Sequence, residues 1–179
     1  MSDNRQVFQA NYEANVVQEL PPTGERQFYF PTECRGVADP LIRVRPKGQD
    51  AWIGLFEPGT VVSGAVTGIY TTPKEEELCV VSRGEGYLID VNHPGTYRKV
   101  EASPITTVLS SLPHELLIFA DLWRIIAYGA DGVRWRTGRI AIDGIRLQGI
   151  HEDLLYGECE RIDGAGAEFQ IELGTGNIS

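Results

Sequence analysis

Leu78-Cys79-Val80-Val81, Leu116-Leu117-Ile118-Phe119 and Leu154-Leu155-Tyr156 are three apolar runs whose starts lie 38 residues apart both times. Each follows an acidic turn: Lys74-Glu75-Glu76-Glu77, then His114-Glu115, then His151-Glu152-Asp153. Each is followed, after a polar break, by a second run: Gly86 to Val91, Arg124 to Gly129, and Phe169 to Leu173. Those runs end in turns rich in Gly, Asp or Pro, namely Asn92-His93-Pro94-Gly95, Ala130-Asp131-Gly132 and Gly174-Thr175-Gly176. A further strand is expected ahead of each unit, over residues 66–70, 105–109 and 145–150.

A strand–turn–strand unit recurring near 40 residues is the pattern of a propeller blade or a related repeat. One unit alone leaves an apolar face uncovered, so neighbouring units must stack. The reading is a mainly β protein, antiparallel, with about three propeller-like repeats of ~38 residues in a partial propeller or open repeat array. Evenly spaced hairpins also fit a β-sandwich, which is the alternative.

Outside the repeats the pattern is less regular. Phe8, Tyr12, Val16 and Leu20 recur every four residues, which fits one face of a short helix. The Asn and Gln among them fit an extended arm equally well. Residues 1–24 are therefore expected as an N-terminal arm or short helix, closed by Pro21-Pro22-Thr23-Gly24, and residues 25–179 as a single all-β domain. Strands are expected over 27–30, 41–45 and 51–56, the last anchored by Trp52. They could supply a further blade. The array could otherwise stay open, or close on another copy of the chain.

Charge restricts the function classes. The 179-residue chain carries a net charge of −9, which argues against nucleic acid, whose binding depends on neutralising phosphates. No apolar run is long enough to cross a membrane as a helix, and no secretory leader pattern is present. Cys34, Cys79 and Cys159 have no metal-like spacing, and Cys79 sits inside an apolar run as a small hydrophobe. A cytoplasmic, disulfide-free protein is the expectation.

The positive charge is concentrated. Residues 116–147 hold Arg124, Arg134, Arg136, Arg139 and Arg146 against Asp121, Asp131 and Asp143. In Val133-Arg134-Trp135-Arg136-Thr137, period two puts both arginines on one face and Val133, Trp135 and Thr137 on the other. Arg134 and Arg136 could fork to a carboxylate or phosphate, or pair with nearby turn aspartates. Trp52 and Trp135 are expected in the core. Trp123 falls in a turn, where an exposed indole anchors an interface. The expected partner-binding residues are thus Trp123, Arg124, Arg134 and Arg136.

Catalytic chemistry finds little support. There is no GxSxG elbow, and the Gly84-Glu85-Gly86 and Gly174-Thr175-Gly176 pieces precede no helix that would cradle phosphate. His114 and His151 occupy matching turns, each beside an acid, so stacking would bring them to one rim. Without HxH or HExxH spacing no metal ligand, cofactor or catalytic residue is assigned.

The runs Phe119-Ala120-Asp121, Ala127 through Thr137, and Asp143-Gly144, with Trp52-Ile53-Gly54 and Gly68-Ile69-Tyr70 upstream, resemble a group of small bacterial proteins of unassigned function. The resemblance spans roughly residues 50–176. It implies a bacterial origin and carries no mechanism. The function expected is a non-enzymatic cytoplasmic protein-interaction module, of immunity, antitoxin or accessory type, whose partner is another protein. The alternatives are a small-ligand binder or hydrolase using the His114/His151 rim, and a self-assembling homo-oligomer.

Overall fold

Among the residues described in the computed structural model (3–5, 7–21, 24–33, 38–160 and 164–179), every regular element is a β-strand. Cys34, Pro22 and Thr23 lie outside these residues. Among the described residues no helix is long and apolar enough to cross a membrane.

The strands form four small sheets. The first is built from β2 (Tyr12–Val17), β3 (Arg26–Phe30), β4 (Leu41–Pro46) and β5 (Trp52–Phe56), in the order β2-β4-β5-β3. The second holds β1 (Asp3–Arg5), β6 (Gly68–Thr71), β7 (Glu77–Ser82), β8 (Glu85–Asp90) and β9 (Tyr97–Lys99), side by side in that order. The third is a meander of β10 (Thr107–Ser111), β11 (Leu116–Ala120), β12 (Ile125–Gly129) and β13 (Gly132–Arg136). The fourth contains β14 (Ile145–His151), β15 (Leu154–Glu160) and β16 (Gly166–Glu172).

The expected repeat is therefore present as the second, third and fourth sheets. The N-terminal strands supply a sheet of their own, the first of the arrangements the sequence left open, which brings the sheets to four. Tyr12–Val17 is a strand paired with β4 rather than a helical turn. Its period of four comes from Tyr12 facing the core while Val16 lies 40% exposed near the strand end.

Pairing is antiparallel as expected except at two edges. β1 runs parallel to β6, and β3 runs parallel to β5. The second case follows from the route of the chain. β4 is laid down one place away from β3, and β5 then fills the gap antiparallel to β4, which makes it parallel to β3.

The sheets stack face to face in chain order, and three apolar clusters mark the three junctions. Phe30, Ile42, Trp52 and Phe56 of the first sheet meet Leu78, Val80, Tyr87 and Ile89 of the second. Cys79, Val81 and Leu88 on the second sheet's other face meet Leu117, Phe119, Ile126 and Tyr128 of the third. Leu116, Ile118, Ala127 and Trp135 then meet Ile145, Leu155, Phe169 and Ile171 of the fourth. A two-layer sandwich would have a single such junction. Among the described residues no fourth cluster joins the last sheet to the first, so the stack is an open array of blade-like sheets.

This stacking accounts for the apolar runs. β7, β11 and β12 are buried along their whole length because both faces of their sheets are covered. β16 belongs to a sheet covered on one face, and it alternates Phe169 and Ile171 inward with Glu168, Gln170 and Glu172 outward.

Candidate interaction surface

The hairpins put successive turns at opposite ends of the stack. At one end lie residues 72–76, 112–115 and 152–153. One contact ties the third and fourth sheets there: His114 Nε2 lies 2.9 Å from Asp153 Oδ1. These turns carry Glu75, Glu76, Glu115, Glu152 and Asp153 against Lys74. At the other end lie residues 83–84, 100–106, 121–124 and 137–144, tied by Ile105 N to Gly84 O, Ile140 N to Trp123 O and Gly144 N to Leu122 O. Here Arg83, Arg124 and Arg139 balance Glu101, Asp121 and Asp143. One end of the stack is acidic, and the other is where the arginines gather.

At the arginine end the turn between β11 and β12 is organised by Asp121, whose side chain is fully buried. Its Oδ1 accepts from the backbone N–H groups of Trp123 and Arg124, both at 2.8 Å, and its Oδ2 accepts from Arg124 Nε at 3.1 Å. Aspartate is suited to this position because its short carboxylate reaches the backbone two and three residues on. With the turn held in this way, Trp123 is directed outward and remains 37% exposed.

Arg124 Nη2 also donates to the Glu101 carbonyl at 2.8 Å. Arg136 Nη1 pairs with the Glu101 carboxylate at 2.7 Å, and Glu101 N donates to the Tyr128 hydroxyl at 3.0 Å. Burial pushes the Tyr128 phenol above its usual pKa, so it stays neutral beneath these charges. Three side chains of the third sheet thus converge on Glu101, in the connection from the second sheet.

Two of the four expected partner-binding residues, Arg124 and Arg136, are brought together through Glu101, and Trp123 stands next to Arg124. Arg134 is not part of this group. A bulge between Ala127 and Tyr128 sets Tyr128 opposite Val133 and Ala127 opposite Trp135, leaving Arg134 as the extra residue. Val133 packs toward the second sheet and Trp135 toward the fourth, so strict alternation along 133–137 does not hold. The Arg134 stem instead lies across Gly129, where an added Cβ would come within 2.9 Å of its Cγ. Turn aspartates were one expected set of arginine partners. Asp121 does pair with Arg124, whereas Arg136 pairs with Glu101.

Arg139 joins this surface although its sequence pattern does not mark it as a site residue. Its guanidinium carbon lies 5.9 Å from the Trp123 ring centroid, a cation–π distance. Nε donates to Ala141 O at 3.1 Å and Nη2 to Ile142 O at 3.3 Å. Among the described residues no carboxylate pairs with it. Trp123, Arg124, Thr137, Gly138 and Arg139 line a shallow notch of about 370 Å³. The signal for Arg139 would have been its place in the connection after β13, which wraps back over the Trp123 turn.

The histidine rim assembles differently. His114 sits between Ser111 Oγ, 3.0 Å from Nδ1, and Asp153 Oδ1, 2.9 Å from Nε2. The residue types are those of a hydrolytic triad, but the arrangement does not suit one. Ser111 is only 4% exposed, so no substrate reaches its oxygen, while the Asp153 side chain is 81% exposed. The chain Ser111–His114–Asp153 is a tie between the third and fourth sheets. Among the described residues no group of three His, Cys, Asp or Glu is placed to hold a metal ion.

In class, the protein is an all-β stack of four small sheets with an arginine-and-tryptophan surface at one end. No family model and no curated protein matches the chain. Solved structures similar to it include the N-terminal domain of Nup159, at 10% identity and a TM-score of 0.39, covering 100% of this chain and 53% of that one. Another is a chain in an S. cerevisiae complex of a Dbp5 variant with Nup159, a Gle1 variant, IP6 and ADP. That match has 9% identity and a TM-score of 0.40, and covers 99% of this chain and 50% of the other. The chain spans about half the length of these structures. Likeness at this level carries no argument about function, and the architecture rests on this chain's own strand pairing.

Proposed function

We propose that the protein is a non-enzymatic protein-interaction module whose partner docks at the arginine end of the stack. The observation that carries this is Trp123, a large aromatic held outward by a buried aspartate and flanked by Arg124 and Arg139. Tryptophan and arginine are the residue types that most often dominate binding energy at protein interfaces. A pre-ordered turn also loses little conformational freedom on association. The buried Ser111 speaks against the hydrolase alternative at the opposite rim. An immunity, antitoxin or accessory role in a bacterial cytoplasm fits the acidic composition, with a net charge of −9.

The test is a pull-down of the tagged protein from its host lysate, with native mass measured on the same sample. A stoichiometric protein partner is expected, lost on Trp123→Ala and kept on Arg146→Gln, which alters an 81% exposed side chain on the fourth sheet. A clean homo-oligomer without a partner would overturn the reading in favour of self-assembly.

A further inference from the structure

We infer that the notch between Trp123 and Arg139 binds an acidic peptide segment, seating one Asp or Glu carboxylate against the Arg139 guanidinium while the neighbouring apolar side chain lies on the indole. This rests on the protein-interaction reading and names the chemistry of the partner. Three observations lead to it.

The first is an unmatched charge. Arg43, Arg98, Arg124, Arg136 and Arg146 each have a carboxylate within ion-pair distance, and of the arginines without one Arg139 is the one that lies over the exposed Trp123 ring. Arg139, which lines the notch, donates to the backbone carbonyls of residues 141 and 142 and is within ion-pair distance of no carboxylate among the described residues. Asp121 and Glu101 at this end are already engaged by Arg124 and Arg136, so neither carboxylate is paired with Arg139.

The second is rigidity. Nε and Nη2 of Arg139 are held by the carbonyls of residues 141 and 142, and its plane is fixed near the indole. Only the outward edge of the guanidinium is free to bind. That edge suits a single carboxylate, which accepts charge-assisted hydrogen bonds from a guanidinium.

The third is shape. The notch is open and holds about 370 Å³, with Trp123, Gly138 and Arg139 among its lining residues. An isolated small acid would be screened there by water and salt. A peptide adds apolar contact with Trp123 to the carboxylate's contact with Arg139. Arg124 is already neutralised by Asp121 and serves to hold the turn.

The test uses the full chain and fluorescence anisotropy with a set of labelled peptides in which Glu alternates with apolar residues, each matched by a peptide with Glu replaced by Gln. Wild-type protein is expected to prefer the Glu peptides by about tenfold or more, roughly the energy of one good ion pair with its contacts. Arg139→Gln and Trp123→Ala should each remove the preference, while Arg146→Gln keeps it. Near-UV circular dichroism checks that each variant is folded. No Glu-over-Gln preference across the set, or a preference untouched by Arg139→Gln, overturns the inference. If a protein partner is still captured through Trp123 in that event, the interaction reading stands without the acidic segment. If neither partner nor peptide binds, both fall. Selective binding of phosphorylated peptides instead would also overturn the carboxylate assignment.

Discussion

Gly176 shows how a single residue can serve the packing of another element. It adopts φ +76, and a Cβ there would lie 2.8 Å from three atoms of Trp135. Trp135 in turn donates from its indole Nε1 to Leu173 O at 2.6 Å, which ties the last turn to the third sheet. Gly176→Ala therefore meets both a left-handed backbone and an occupied space. It should lower stability by about 1–3 kcal/mol in urea unfolding, where a loss under half of that range would mean that the turn moves aside. At the same scale, Glu25 has its carboxyl held below the usual range by hydrogen bonds from Arg43. A depressed folded-state pKa contributes stability above the unfolded pKa and loses it as pH falls through the folded value. This contact therefore acts at neutral pH and fades in acid.

Position in the stack governs the behaviour of each strand. β7, β8, β11 and β12 lie inside sheets with both faces covered and are flanked by paired strands. β9 and β13 are edges that carry Arg98, Lys99, Arg134 and Arg136, charges that discourage pairing with another chain. Amide hydrogen exchange should then be slowest in those four inner strands and markedly faster in β9 and β16, read peptide by peptide by mass spectrometry. Uniform exchange across the sheets would contradict a layered core. The inner strands were legible in the sequence because a doubly covered strand has no polar face to show. Tyr12–Val17 was harder, since its apolar positions imitate a helical period and its pairing with β4 spans a long sequence separation.

For the molecule as a whole, each junction depends on the next sheet. Removing residues 143–179 would strip the fourth sheet and uncover Leu116, Ile118, Ala127 and Trp135. Such a chain should bind an apolar dye and aggregate, whereas the full chain should not. A well-behaved truncated monomer would show that the third junction is dispensable. The separation of charge between the two ends also belongs to this scale, because no single strand contains it. It arises from hairpins that return every acidic turn to one side and the Trp123 and Arg139 turns to the other.

The sequence by itself determined the strand class, the repeat of apolar runs and the place of Trp123 in a turn. Each depends on local periodicity or on a turn of a few residues. The strand patterns carry part of the layering, as continuous runs in the doubly covered β7 and β11 and alternation in the singly covered β16, but β5 is a continuous apolar run in an outer sheet, so the stacking order itself had to come from the fold. Only the tertiary structure decided that Arg134 is displaced by a bulge, that Arg124 and Arg136 meet at Glu101, that His114 bridges to Asp153, and that Arg139 comes to rest over Trp123. Strand register and the path of a returning loop set these contacts, and both follow from the packing of sheets against one another rather than from any residue's own neighbours in the chain.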